Sequence, residues 1–490
     1  MYYANEIKTL FFQNTSAKQT IFKNTIWLSA STAANKLLAL ALVIYAARVL
    51  GAEGYGQFTF AIALVSLFMV FATFGLQPIV TREFAREKEK KEEFYSILSL
   101  KLVLVSFTFL LVLAVSFFIP RIQETQIVIL ALALFFLLNG FIGICYSFFH
   151  ARQKMEYEAW FETLQTILIV ALGLFVLFRF PSPANLSYAY VVAGLVALVA
   201  ILAFFHLKIF PLKLQWDFLV WKKFLKMSWP LAFIGLFGLV YSYTDSVMLG
   251  YWGMLEETGW YNAAYKVVTA SLVPMGLLGA SFYPALSKFS KESKEKLQRA
   301  WNYEIEIMIA IALPLIIGGM ALAAKIIYSL YPADFAPSVL AFQILITTAG
   351  LIFLYRPLYD VMIVLNQQSK TFWITMGGAA LNVMLNFIFI PQYSLYGAAA
   401  ATVFTHALVL VSLLVFVKKF TDLHFPVVRI LLTFSIAALA SFLMYAGIRQ
   451  FAGYDMSIFF LVPTGAAIYV FAFLLIRNYF ALRYLKKAYV

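Results

Sequence analysis

Apolar runs close to the ~20 residues needed to cross a bilayer recur along this chain from Asn24 to Ile476, with only brief polar interruptions between them. Fourteen are read: residues 24–50, 54–80, 94–118, 126–150, 158–180, 185–208, 224–251, 259–285, 300–323, 335–357, 366–390, 395–418, 427–448 and 456–476. A continuous apolar run satisfies its own backbone in hydrocarbon only as a helix, whereas a membrane barrel would show short alternating segments. The expected fold is an all-α polytopic membrane protein of about fourteen transmembrane helices. Its composition agrees, since 63% of the 490 residues are hydrophobic and only 12% are charged.

The 37 basic residues test the topology. With the N-terminus inside, twenty-nine of them fall in cytoplasmic segments, four lie outside (Arg121, Arg179, Lys325 and Arg449), and four lie within spans (Lys36, Arg48, Lys101 and Lys266). That bias predicts a multi-pass protein of the cell membrane with both termini cytoplasmic. It also accounts for the net charge of +14 without nucleic acid, anionic lipid headgroups being the natural neighbours. Cys145 is the single cysteine, which excludes an intrachain disulfide or a cysteine-based metal cluster. The first 23 residues are polar and lack a small-residue cleavage site, so no removable signal is expected.

Every loop is short, and no G-x-x-x-x-G-K-[ST] occurs, so neither a soluble catalytic domain nor the phosphate cradle of an ATPase is expected. No cofactor or metal is called for. A weak internal repeat runs through the chain. "RVLGAEGYG" (48–56) and "VMLGYWGMLEETGWY" (247–261) both give a Val, then Leu-Gly, followed by Gly and an aromatic helix start. Tyr146 and Trp160 are spaced 14 apart, as are Tyr359 and Trp373, and "PANLSYAY" (183–190) answers to "PQYSLYGAA" (391–399). The simplest organisation is a cytoplasmic segment 1–23, an N-lobe of six spans (24–210), a linker 211–225, a C-lobe of six spans (226–419), two added C-terminal spans (427–476) and a basic tail 477–490. Transporters built from such repeats typically bind substrate between them.

Five stretches carry a family resemblance: "ARVLGAEGYGQF" (47–58), with Gly51, Gly54, Tyr55 and Gly56; "KMSWPLAF" (226–233); "TDSVMLG" (244–250); "GWYNAAYKV" (259–267); and "LNVMLNFIFIPQYSLYGAAAATV" (381–403), with Asn382, Asn386, Pro391 and Gly397. In these, across nearly the whole length, the chain resembles the polysaccharide biosynthesis (O-antigen-type) oligosaccharide flippases of the multidrug/oligosaccharidyl-lipid/polysaccharide superfamily. The resemblance implies two lobes in an inverted V around a cavity that opens alternately to either side. It implies movement of a polyprenyl-linked oligosaccharide from the cytoplasmic to the outer leaflet, with no covalent chemistry. The superfamily also holds lipid II flippases and cation-coupled drug exporters, and the fold alone does not choose among cargoes. From another class, a membrane polymerase or ligase acting on lipid-linked sugars would usually want a sizeable outer loop, and the outer connections here are at most about ten residues.

Charges within spans are the candidate site. Lys36 lies mid-span, out of easy reach of an interface, and either attracts a carrier phosphate or acidic sugar or is paired structurally. Arg48, about 18 Å further on and about 120° round the helix, either shares that role or reaches the outer interface. Asp245 and Lys266 sit at similar depth on consecutive spans, as a salt bridge or as a switch in which Asp245 takes a coupling ion. Lys101 and Glu162 are expected to pair or to snorkel, and His406 either ties helices together or relays protons. Glu304, Glu306 and Asp360 are expected at helix ends, facing water or headgroups. Pro78, Pro230, Pro274, Pro284 and Pro314 are expected to kink their spans. Expected partners are the lipid-linked oligosaccharide, membrane lipids and the polysaccharide polymerase or export machinery. The oligomeric state stays open, a monomer being the simpler case.

Overall fold

The structure is a computed structural model that describes residues 16–86, 91–119, 123–452 and 456–488. Apart from one turn of 3-10 helix at Ala333–Phe335, its regular structure among these residues is α-helical. The first unit, Met1–Gly259, holds α1 (Ala17–Thr73), α2 (Leu76–Arg86), α3 (Lys91–Ser116), α4 (Gln123–Ala151), α5 (Met155–Arg179), α6 (Pro183–Lys208) and α7 (Phe218–Tyr251). α8 (Leu255–Ser271) leads into the second unit, Trp260–Val490, which holds α9 (Val273–Glu292), α10 (Lys294–Leu330), α11 (Pro337–Val364), α12 (Gln368–Phe420), α13 (Val427–Ala452) and α14 (Ile458–Ala488).

Twelve helical stretches among the described residues are long and apolar enough to cross a membrane. Two of them run through a single non-helical residue. α1, 57 residues long, turns at Gly51 (φ 70°), and α12, 53 residues long, turns at Ser394 (φ 52°). Each is about twice the length a bilayer requires. Divided there, the twelve become the fourteen segments expected, because a one-residue reversal suffices when a left-handed conformation is available. Two other spans are interrupted where the sequence reads them as continuous. The run 54–80 ends as a helix at Thr73, with Phe74 (φ 44°) as a left-handed cap, and resumes as α2. The run 259–285 breaks at Leu272, where Pro274 enters the first turn of α9. The second and the eighth of the expected spans thus both break. Pro230, Pro284 and Pro314 lie within helices that run on through them.

Helix starts follow local chemistry. Ser182 accepts from the Asn185 amide at 3.1 Å just before Pro183, and Asp217 accepts from Leu219 and Val220 at 2.9 and 3.2 Å. In the first unit an aromatic cluster closes one end, with Phe94 stacked on Phe205 (6.0 Å) and edge-on to Phe210. In the second, α13 and α14 pack on α10 through Leu322, Ala440, Met444, Ile448 and Leu461, and the Tyr469 hydroxyl donates to the Ala310 carbonyl.

The boundary between compact units falls after Gly259, whereas the repeat places it in 211–225. Backbone-to-backbone packing is the reason. A Cβ on Gly56 would lie 1.7 Å from the Leu255 carbonyl oxygen, and one on Gly259 would lie 2.0 Å from that of Ala52. A Cβ on Gly75 (φ 63°) would likewise lie 2.7 Å from the Ser228 carbonyl oxygen. These contacts hold α7 and the start of α8 against α1. Gly56→Ala is expected to destabilise the purified protein by about 3 kcal/mol, since backbone rather than a flexible side chain must move. Gly238→Ala, with open space around it, is expected to be neutral or to stabilise by up to about 1 kcal/mol. Thermal unfolding of the two variants in one detergent checks the contrast.

Candidate functional site: charges held within the spans

α1 and α5 are joined by polar pairs along their length. The Lys23 ammonium lies 3.0 Å from the Glu156 carboxylate, and Asn24 donates to Gln153 at 3.0 Å. About three turns on, the Glu162 carboxyl sits beside the Asn35 amide and within range of the Lys36 charge. One turn before Glu162, Glu158 pairs with His150 at the end of α4. Lys36 is exposed, Glu162 is half-buried and Asn35 is buried. The Lys36 side chain stays exposed, with the Glu162 carboxylate one helix away near enough to feel its charge, a compromise between desolvation and availability.

Lys101 behaves differently from its expectation. It is 0% exposed, and its ammonium donates to the carbonyl of Ala72 rather than meeting Glu162. The reason lies in the break at Phe74: Ala72 is in the last turn of α1, where carbonyls have lost their helical donors and carry the negative end of the helix dipole. Gly140 gives the lysine its place, since a Cβ there would lie 3.3 Å from Lys101 Cε and Nζ. Lys101 is thus enclosed, and caps a helix instead of lining an opening. Glu162, the carboxylate expected beside it, lies instead near Asn35 and within range of the Lys36 charge.

The other sequence candidates are placed as follows. Arg48 is exposed on α1. Asp245 is buried on α7 in the first unit, and Lys266 is half-buried on α8 in the second, so neither unit by itself contains the expected pair. Nearby in the second unit, Tyr261 stacks on Tyr265 (5.9 Å). His406 is buried and joins α12 to α11, its Nδ1 3.2 Å from the Tyr355 hydroxyl and its ring stacked on the tyrosine. The asparagines of the most specific motif form a ladder: Asn386 donates to Asn382 at 3.1 Å, and Asn382 to Thr402 beyond the turn at 3.3 Å. Gly397 closes the same hairpin, where a Cβ would fall 2.3 Å from the Phe389 carbonyl, just before the exposed Pro391. Gly54 packs against Leu50 and Pro183, and the Tyr55 side chain is buried beside the Gly51 turn.

Two residues expected at water-facing helix ends are instead buried. Glu304 is 0% and Asp360 1% exposed, and Arg356 holds Asp360 at 2.7 Å. Only Glu306 fits its expectation in part, half-buried and near Arg429. The signal available in the sequence was the spacing of Arg356 and Asp360, one helical turn apart on a single face.

Lys101→Met is expected to destabilise by about 2 kcal/mol, because a buried carbonyl loses its charged donor while the side-chain volume is kept. Transport per folded molecule should be unchanged. Comparing melting temperature with activity normalised to folded protein separates the two roles.

A chain of bilayer-length helices with charges held inside its spans is a multi-pass membrane protein by class. The particular family follows from comparison: residues 21–290 match the family described as "Polysaccharide biosynthesis protein", and the chain belongs to it. A Haloferax volcanii relative named "Probable low-salt glycan biosynthesis flippase Agl15" is 23% identical over 395 residues, covering 78% of this chain and 80% of that protein. Among solved structures, lipid II flippase MurJ in an inward closed conformation superposes with a TM-score of 0.75 at 18% identity, over 94% of this chain and 100% of that one. An inward-facing multidrug resistance MATE transporter gives 0.64 at 15% identity, over 81% and 98%. These structures share the fold. The chain itself is a multi-pass membrane protein of the polysaccharide biosynthesis family.

Proposed function

We propose that this protein moves a polyprenyl-phosphate-linked, anionic oligosaccharide unit from the cytoplasmic to the outer leaflet of the cell membrane, for cell-surface polysaccharide synthesis. The observation that carries the reading is Lys36, an exposed cation in the middle of a membrane span, with the Glu162 carboxylate within electrostatic range. A cation placed there offsets headgroup negative charge while it passes through hydrocarbon, where such charge is otherwise costly. Arg48, also exposed on α1, would extend the positive path, and the lipid tail stays in the bilayer. Family membership and the glycan-flippase name of the Haloferax relative support the class of cargo.

In this reading the six-span repeats, 24–210 and 226–419, are the elements that alternate, both termini are cytoplasmic, and the added spans 427–476 accompany the second repeat. Lys266 is the group that meets the anionic headgroup during the cycle, and Asp245 or His406 is the ion-coupling group. The working unit is a monomer that hands its product to polymerase and export machinery.

The test is the sidedness of lipid-linked oligosaccharide in oriented vesicles from cells lacking the protein, read with an impermeant lectin or glycosidase. Full-length units are expected to accumulate on the cytoplasmic leaflet, to be cleared by wild type, and to be cleared at least about tenfold more slowly by Lys36→Ala, corresponding to about 1.4 kcal/mol of lost stabilisation. Unchanged sidedness in the deletion strain, with other flippases also removed, would overturn the cargo. Full clearance by Lys36→Ala would remove the lysine from the mechanism and leave the cargo standing.

A further inference from the structure

Inside the second unit, three helices bring together an acidic pair and one arginine. Arg356 and Asp360, one turn apart on α11, are joined at 2.7 Å. The Glu304 carboxyl of α10 faces that of Asp360, and neither of its oxygens has a hydrogen-bond donor among the described residues. On α9, Gly279 leaves room for the guanidinium, since a Cβ there would lie 2.8 Å from Arg356 Nη2. Asp360 and Arg356 are the charged groups that act on Glu304. Those acting on Asp360 are Arg356 and Glu304.

The charge balance of this group is incomplete. Two carboxylates against one guanidinium leave a net negative charge in a closed setting, with two acceptor groups facing each other and no donor between them. A proton shared between the carboxyls supplies the missing donor and the missing charge at once. A metal ion fits worse: the guanidinium already occupies one side of the pair, and no cluster of three or more His, Cys, Asp or Glu able to hold a metal occurs among the described residues. Exchange has a route, because the Arg356 side chain is 30% exposed while both carboxyls are enclosed. From this we infer that Glu304 and Asp360 form a binding site for one exchangeable proton, gated by Arg356. Losing the proton leaves two facing carboxylates on neighbouring helices, so occupancy of the site biases the spacing of α10 and α11.

The proposal does not depend on the cargo. Full-length protein in lipid nanodiscs, titrated from neutral to alkaline pH, is followed by infrared difference spectroscopy in the carboxylic-acid carbonyl region. Wild type is expected to lose a protonated-carboxyl band as pH rises. Glu304→Gln, which is neutral, isosteric and leaves Asp360 with Arg356, is expected to lack that band, and so is Asp360→Asn, in which Glu304 inherits the arginine. Thermal stability gives a second reading. A proton held only in the folded state makes stability fall as pH rises through its release, so wild type should slope downward there and Glu304→Gln should be flat. Glu304→Gln also keeps the fold, because it supplies the missing donor directly. A wild-type spectrum without the band overturns the site, as does a band that persists in both variants. Loss of the band on adding sodium at constant pH would replace the proton by a metal cation and overturns it equally.

Discussion

Hydrocarbon offers the peptide backbone no hydrogen bonds, so each place where a spanning helix stops or turns must find its own partners. The break at Phe74 shows how much follows from this. It strands carbonyls in the last turn of α1, and the Ala72 carbonyl takes the ammonium of Lys101 from α3. Gly140 of α4 yields the space, and Gly75 brings the chain against the Ser228 carbonyl of α7. One interruption thus locks four helices of the first unit together and commits a cation that would otherwise be free for substrate.

The same constraint explains the glycine-rich motifs. In a membrane there is little hydrophobic drive for one helix to seek another, and close backbone approach by small residues supplies attraction instead. Gly56 and Gly259 let the starts of two spans touch backbone to backbone. In the C-terminal motif the work is divided. Gly397 admits the Phe389 carbonyl, while Asn382, Asn386 and Thr402 join the two arms of α12 by hydrogen bonds. Motifs that identify the family are therefore largely packing and turning devices, and charges scattered singly along the spans carry the candidate chemistry.

Those charges separate into kinds by what meets them. Lys101 is enclosed by a helix end, His406 is stacked and hydrogen-bonded by Tyr355, and Lys36 is left open beside Glu162. Glu304 and Asp360 are closed in together with a single arginine whose side chain reaches outward. An ionisable group in a span is suited to binding cargo when its head remains reachable, and to binding a proton when it is enclosed with an unbalanced neighbour.

Helical class and the approximate number of spans were legible from residue order alone, because the bilayer imposes a length and a polarity that any spanning segment must match. The turn at Gly51 was legible too, since glycine marks a left-handed residue; the one at Ser394 was not marked in that way. The sequence could also name which charges lie within spans. It could not pair them: Lys101 and Glu162 sit at similar depth in one lobe, yet a helix break took the lysine and left Glu162 beside Asn35 and within range of the Lys36 charge. Nor could it bury Glu304 and Asp360, since depth along a helix follows from residue number, whereas enclosure depends on the azimuth of each face and on which helix lies against it. Azimuth and neighbour are properties of packing, and only the tertiary structure decides them.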